Sequence, residues 1–298
     1  MLGLHLRRLR EARGIPAAEA AKAIRATPSK ISRMELGRSA IREIDVVDLL
    51  TLYGVDPAER HQLLRLAEQA AHPGWWHRYG DILPPWFPNY IGLEESAKSI
   101  RAYEPLFVPG LLQTPEYAPA VLALDCIPPS EAERHVLVRK ERQRRFTEGQ
   151  IKFWVIVDEF ALRRPVGSAE VLRDQLRHLI SLSTRPNLTL QVTPQGTGAH
   201  AAPGAFTILR FHEPELPDLV YVEQLTSALY IDKKDDVDRY LLAMERLSTI
   251  SSKPPRTREI LSAIIDEPDK QLALGRAELL EGIRHRQQIP SPSDGSTA

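Results

Sequence analysis

The sequence predicts a mainly α chain whose larger second part is α+β, with helices around a sheet of about four strands. Three observations predict it. The first seventy residues carry apolar side chains at helical spacing, cut at intervals by glycine and proline. A passage dense in tryptophan, tyrosine and proline, from Trp75 to Tyr90, then interrupts that pattern. Beyond it, short runs rich in β-branched and aromatic residues alternate with helical stretches, as strands packed on helices do.

Leu4, Leu6, Leu9 and Ala12 define a first helix ending at Arg13-Gly14, where glycine suits a left-handed cap. Pro16 opens a second, with Ala20, Ala21 and Ile24 at helical spacing. After a turn at Arg25-Ala26, Thr27-Pro28 begins a third helix. The hydroxyl caps unpaired backbone N–H groups, and proline fits the first helical position. That helix runs through Ile31 and Met34 to Leu36-Gly37. Ile44, Val47, Leu50 and Leu52 mark a fourth helix, and Leu63, Leu64, Leu66 and Ala67 a fifth.

His72-Pro73-Gly74 closes this five-helix unit, so the expected domains are 1–72 and 73–266, with a helical extension and polar tail over 267–298. A mostly helical passage is expected from Ile91 to about Thr147. Strands are expected at Ile151–Val157, Leu188–Val192, Phe206–Phe211 and Leu219–Val222. Helices are expected at Ala169–Leu182, Lys234–Ile250, Glu259–Ile265 and Asp269–Arg286.

Composition narrows the function classes. No run of eighteen apolar residues exists, so no membrane-spanning helix is expected. The first residues turn charged at Arg7 and Arg8, which predicts a cytoplasmic protein without an export signal. A lone Cys126 forms no internal disulfide and excludes a cysteine-rich zinc module. Formal net charge is zero, which argues against indiscriminate coating of nucleic acid. Within residues 1–42, however, ten Lys and Arg stand against only Glu11, Glu19 and Glu35. Local positive charge of this kind is the footprint of a phosphate-contacting segment, although a solvated basic face has the same composition.

The stretch from Ala17 to Gly37 sharpens that reading. It places two short helices around a tight turn, the second starting with a cap and small polar side chains. A helix that enters the major groove needs this build, because bulky residues at its N-terminal end would hold it away from base edges. Ile31 and Met34, three apart, face the core, so Pro28, Ser29, Lys30, Ser32 and Arg33 fall on the exposed side. Lys30 and Arg33 can donate to guanine or phosphate oxygens, and both serines can serve either kind of group. The helix start, Thr27 included, offers backbone N–H groups to a phosphate.

Residues 19–37 resemble the lambda-repressor-like, xenobiotic-response-element type of helix-turn-helix. In that family Ile-Ser-Arg-Ile-Glu-x-Gly ends the recognition helix, and Ile31-Ser32-Arg33-Met34-Glu35-Leu36-Gly37 is similar to it. The resemblance extends over roughly residues 2–55. Ala17 departs from it, standing where the family often carries a phosphate-contacting glutamine, so Arg38 and Arg42 are expected to substitute. Further on, Gly74-Trp75-Trp76, Leu93-Glu94, Val108 to Tyr117, Arg139 to Gln143, Val157-Asp158-Glu159 and Gly204-Ala205-Phe206 follow in order. They resemble the uncharacterised domain behind this helix-turn-helix in antitoxin-like regulators of high-GC bacteria.

Together the resemblances imply a bacterial transcriptional regulator, a homodimer on a double-stranded DNA operator. The second resemblance implies a partnership with a small protein, often encoded nearby, and does not establish a ligand; a response of the second domain to a partner protein or a ligand is the expectation. An antitoxin-like interaction module that autoregulates its operon is the alternative. Neither resemblance brings a cofactor, a metal or a catalytic residue.

Other features have plainer readings. Trp75, Trp76, Trp86, Tyr79 and Tyr90 are expected at the domain junction, with a ligand or partner groove as the alternative. The basic run Arg139–Arg145 is read as a solvated helix face beside acids rather than a DNA contact. Asp158-Glu159 reads as a helix start rather than a general base, and the Gly196-Thr197-Gly198 loop near His200 falls short of a phosphate-binding fingerprint. His61, His72 and His77 lack metal-ligand spacing.

Overall fold

A computed structural model describes residues 2–267 apart from 38, 40, 72–73, 126, 150, 165, 198–201, 203 and 214–215. Five helices open the chain: α1 (Leu2–Ala12), α2 (Ala17–Ala23), α3 (Pro28–Glu35), α4 (Glu43–Leu52) and α5 (Pro57–Ala71). Gly14 and Gly37 adopt φ of 65° and 68°, the left-handed caps expected of them. Leu6, Leu9, Ala20, Ala21, Ile31, Met34, Leu50 and Leu63 close a core of their own. Ile44 departs from its expected place and is 57 % exposed. On α4 the buried apolar side chains are Val46, Leu49 and Leu50, so the core face starts two residues later than the spacing from Ile44 predicts.

The chain continues with a 3-10 turn, Trp75–Tyr79, and α6 (Phe87–Ser96), which runs directly into β1 (Ala97–Glu104). Helices α7 (Tyr117–Leu122) and α8 (Pro129–Glu148) then cross over to β2 (Lys152–Asp158). Next, α9 (Glu159–Arg163) and α10 (Ala169–Leu182) cross to β3 (Leu188–Thr193). Strands β4 (Phe206–Phe211), β5 (Leu219–Glu223) and β6 (Ala228–Ile231) follow, then α11 (Lys234–Ile250) and α12 (Pro254–Ile265). The expected helix over 269–286 lies outside the described residues.

The sheet has six strands among the described residues, in the order β3-β2-β1-β4-β5-β6. Pairing is parallel across β3, β2 and β1 and antiparallel from β1 to β6. Parallel neighbours need long crossovers, which α7–α8 and α9–α10 supply. The four expected strands are present as β2 to β5, and β1 and β6 are additions.

Strand β1 corrects the helical reading of that passage. It reads Ala-Lys-Ser-Ile-Arg-Ala-Tyr-Glu and offers only Ile100 and Tyr103 as strong strand formers. Pairing on both edges decides its conformation: Ile100 sits beside Phe153 of β2 and Leu209 of β4.

Two apolar layers cover the sheet. On one face Ile100, Ala102, Val155, Leu190 and Leu209 pack in a cluster with α10 and α12 residues such as Leu176 and Leu261. On the other, Tyr103, Ile156, Ile208 and Val220 pack with Val237, Met244 and Leu247 of α11. The two domains touch. Leu4 of α1 joins the first of these clusters, and Arg7 Nη1 pairs with Asp232 at 2.9 Å. A Cβ built at Gly37, just behind α3, would lie 3.7 Å from Asn89 Oδ1 of α6.

Candidate nucleic-acid interface

Helix α3 is short, and its start is fixed by local chemistry. The Thr27 hydroxyl accepts from the Lys30 amide at 3.2 Å, and Pro28 occupies the first helical turn without sacrificing a hydrogen bond. The preceding turn closes as the Ala26 amide donates to the Ala21 carbonyl at 2.8 Å. Arg25 holds φ at 53° there, the left-handed region a side chain rarely takes.

Ile31 and Met34 are each 1 % exposed, which anchors one side of α3 by roughly 1.5–3 kcal/mol per side chain. The other side is open. Thr27, Pro28, Ser29, Ser32 and Arg33 are exposed, as the helical spacing predicts.

Two buried acids hold this face in place, and sequence reasoning gave neither that role. Glu35, within the family-like motif, is buried against α1. It accepts from Arg10 Nε at 2.6 Å and Arg10 Nη2 at 2.9 Å, while Arg10 Nη1 donates to the Ile15 carbonyl at 3.0 Å. The hydrogen bond to Glu35 holds the Arg10 guanidinium above its ordinary pKa, outweighing burial. Gly3 permits the contact: a Cβ there would come within 2.4 Å of the Met34 carbonyl oxygen. The Glu35 of the motif is therefore a brace between helices, not a DNA contact.

Asp45 is the second acid, 1 % exposed at the start of α4. It accepts from Lys30 Nζ at 2.9 Å, Arg42 Nε at 3.1 Å and Arg42 Nη2 at 2.6 Å. The Arg42 hydrogen bond, followed by that of Lys30, keeps its carboxyl below the ordinary aspartate range despite burial. Lys30 thus lies against α4, half-buried, where the sequence places it toward base edges. Arg42 is exposed beside it. Arg38 lies outside the described residues. An acid in the first turn of a helix has an ordinary dipole reading, so nothing in the sequence singles out Asp45 as the anchor for Lys30.

The remaining features differ from one another, and the α8 run is not a solvated face throughout, since Arg142 is 9 % exposed in its pair with Glu94. Asp158 caps α9, accepting from the Phe160 amide at 2.9 Å. Glu159 accepts from Arg163 Nε at 2.7 Å and the Gln195 amide at 2.9 Å. The basic run of α8 is met by acids: Arg142 pairs with Glu94, Arg144 with Glu141 and Glu148, and Arg145 with Glu141 and Glu95. Trp75, Trp76 and Tyr79 gather with Leu83, Ile91 and Val138 in a cluster of second-domain residues, where a domain junction is the sequence expectation. His77 Nδ1 lies 3.0 Å from the Gly74 carbonyl oxygen. His72, Cys126 and His200 lie outside the described residues.

A family model for a helix-turn-helix domain matches residues 1–63, and one for a domain of unknown function, DUF5753, matches residues 87–263. No curated protein and no solved structure matches the chain. The helix-turn-helix match supports a DNA-binding regulator. No helix among the described residues is long and apolar enough to cross a membrane.

Proposed function

The chain belongs to the DUF5753 family with a helix-turn-helix domain ahead of it, and from that premise we propose that it is a sequence-specific transcriptional regulator. Helix α3 is the reading element on double-stranded DNA, and the second domain converts a partner or ligand signal into changed occupancy. One observation carries the reading. A capped helix presents Ser29, Ser32 and Arg33 outward, while Ile31 and Met34 fix its inner side. Arg33 donates to base edges, the serines serve bases or phosphates, and the helix start at Thr27 and Pro28 receives a phosphate.

Arg42 and Arg38 contact the backbone in this reading, and Lys30 acts from its place beside Asp45. One recognition helix spans too few base pairs for useful specificity, so the working unit is a homodimer on two half-sites. The protein works in the cytoplasm as a regulator, not an enzyme.

The test is retention of genomic DNA fragments by the purified protein at near-physiological salt, beside an Arg33→Ala variant. A few discrete fragments held by the parent and released by the variant is the expected result. Retention without selection, or selection unchanged in the variant, overturns it.

A second reading keeps the antitoxin-like module, in which DNA binding only autoregulates an operon with a small protein partner. The edge strand β6 favours it: Leu229 is 53 % exposed there, and Leu225 in the adjoining turn is 95 % exposed. A stoichiometric protein held by the parent and lost from a Leu225→Ser/Leu229→Ser variant is its signature.

A further inference from the structure

Between α6, α8 and one face of the sheet lies a cavity of about 350 Å³, the size of a small organic ligand. Its walls are aromatic. Phe87 and Tyr90 stack at 5.5 Å between ring centroids, Tyr90 meets Tyr221 at 4.3 Å, and Phe206 closes the side toward β4. Two carboxylates, Glu104 at the end of β1 and Glu223 at the end of β5, line the same space.

The two carboxylates have few direct partners. Glu104 makes no hydrogen bond or ion pair among the described residues. Glu223 accepts from Trp86 Nε1 at 3.0 Å, and Arg142 across the cavity feels its charge without a direct ion pair to it among the described residues. The Tyr221 hydroxyl, on a residue 4 % exposed, leans toward Glu223 yet meets hydrogen-bond geometry with no described group. The cations on the α8 wall are committed elsewhere. Arg142 donates to Glu94 twice, at 2.8 and 2.7 Å, and Arg139 Nη1 donates to the Ala118 carbonyl at 3.1 Å.

We propose that this cavity binds an organic cation, an amine carried on an aromatic or apolar body, with Glu104 and Glu223 as its counter-charges. Aromatic faces attract a cation as well as covering the body that carries it. An anionic ligand would face two carboxylates, while Arg142 is already paired with Glu94.

Proton linkage follows from the same geometry. Burial, and then the nearby Glu223 charge, push the Glu104 carboxyl up to about 8. The titratable and charged groups that share the cavity wall with it are Glu223 and Tyr221 from β5, Tyr90 from α6, and His135, Arg139 and Arg142 from α8. An ammonium entering beside Glu104 favours the carboxylate and draws off its proton, so the amine binds more tightly as pH rises toward 8.

The cavity also adjoins the contacts between domains. Helix α6 supplies Phe87 and Tyr90 to its wall and Asn89 to the neighbourhood of Gly37. Glu223 is tied to Trp86, whose carbonyl accepts from Tyr230 at 2.6 Å on β6. That strand leads into Asp232, the partner of Arg7. Occupancy therefore bears on the placement of α1 and α3. This consequence, unlike binding itself, rests on the regulator reading.

The test is calorimetry on the full chain with two probes of one shape and opposite charge, tryptamine and indole-3-propionate. Tryptamine is expected to bind at least about tenfold more tightly than the acid, and roughly tenfold more tightly near pH 8.5 than near pH 6.5. Glu104→Gln should weaken tryptamine about tenfold and abolish the pH dependence. Circular dichroism checks its fold, and Glu223→Gln provides an independent loss of affinity.

Equal binding of both probes, preference for the acid, or no tryptamine binding at millimolar concentration overturns the proposal. Fragment retention on the same samples separates the two readings. Selective DNA retention without tryptamine binding rejects the cavity assignment alone, and tryptamine binding without selective retention rejects the regulator reading alone.

Discussion

The outer face of α3 and the cavity beneath α6 are built in opposite ways. Within nine consecutive residues, Thr27 to Glu35, the chain supplies the helix cap, two core anchors, three exposed polar side chains and a buried brace. The cavity draws Glu104, Tyr221 and Glu223 from strands more than a hundred residues apart in sequence. A local surface needs one short helix held by its neighbours, whereas an enclosed space needs the whole sheet to be paired first. The first therefore depends on a few braces around α3, and the second on the register of β1 between β2 and β4.

This contrast can be broken most severely at Glu35. Glu35→Ala takes from Arg10 its buried counter-ion, leaving only the exposed Glu11 at 3.4 Å, and should lower the unfolding free energy of the first domain by about 2–4 kcal/mol. Urea denaturation followed by circular dichroism measures it; a loss below about 1 kcal/mol would show that the brace is dispensable. Gly3→Ala comes next. The methyl group must push back the Met34 and Glu35 carbonyls, at an expected cost of about 1–3 kcal/mol in the same experiment.

Arg33→Ala sharpens the comparison from the other side. Its side chain is exposed, so stability should be unchanged while operator affinity falls by about 1–3 kcal/mol. Lys30→Ala should cost less in binding than Arg33→Ala, because the Lys30 ammonium is already held by Asp45. Equal losses in a fluorescence-anisotropy titration would mean that Lys30 leaves Asp45 to read a base. The smallest effect is expected from Thr27→Ala, about 1 kcal/mol of stability from the lost cap, read as a small shift in the same urea midpoint.

How much of each region was legible follows from the same difference. Glycine, proline and a capping hydroxyl announce α1 to α3 because they act on their immediate neighbours, and Gly14, Gly37 and Thr27 do what their positions predict. Strands β2 to β5 were legible from β-branched and aromatic runs. Strand β1 was not, because Lys98, Ser99 and Arg101 dilute its signal and its conformation comes from pairing on both edges. The outward set Ser29, Ser32 and Arg33 followed from spacing alone. The assignment of Lys30 to the same face failed to anticipate Asp45, a contact fifteen residues away across a turn. The cavity was legible only in part: Tyr90 and Trp86 belong to the aromatic group for which a groove was the alternative reading, whereas Glu104 reads as one more acid after a weak strand until β5 brings Glu223 and Tyr221 beside it.

The most direct test of the account is the ratio of affinities for a retained genomic fragment and for random DNA of equal length, measured at one salt concentration for the parent and for Ser29→Ala/Ser32→Ala/Arg33→Ala. The account predicts a high ratio for the parent and a collapse toward one in the variant, with binding to random DNA little changed. A ratio that survives the triple substitution would contradict it, and would move the reading of sequence away from α3.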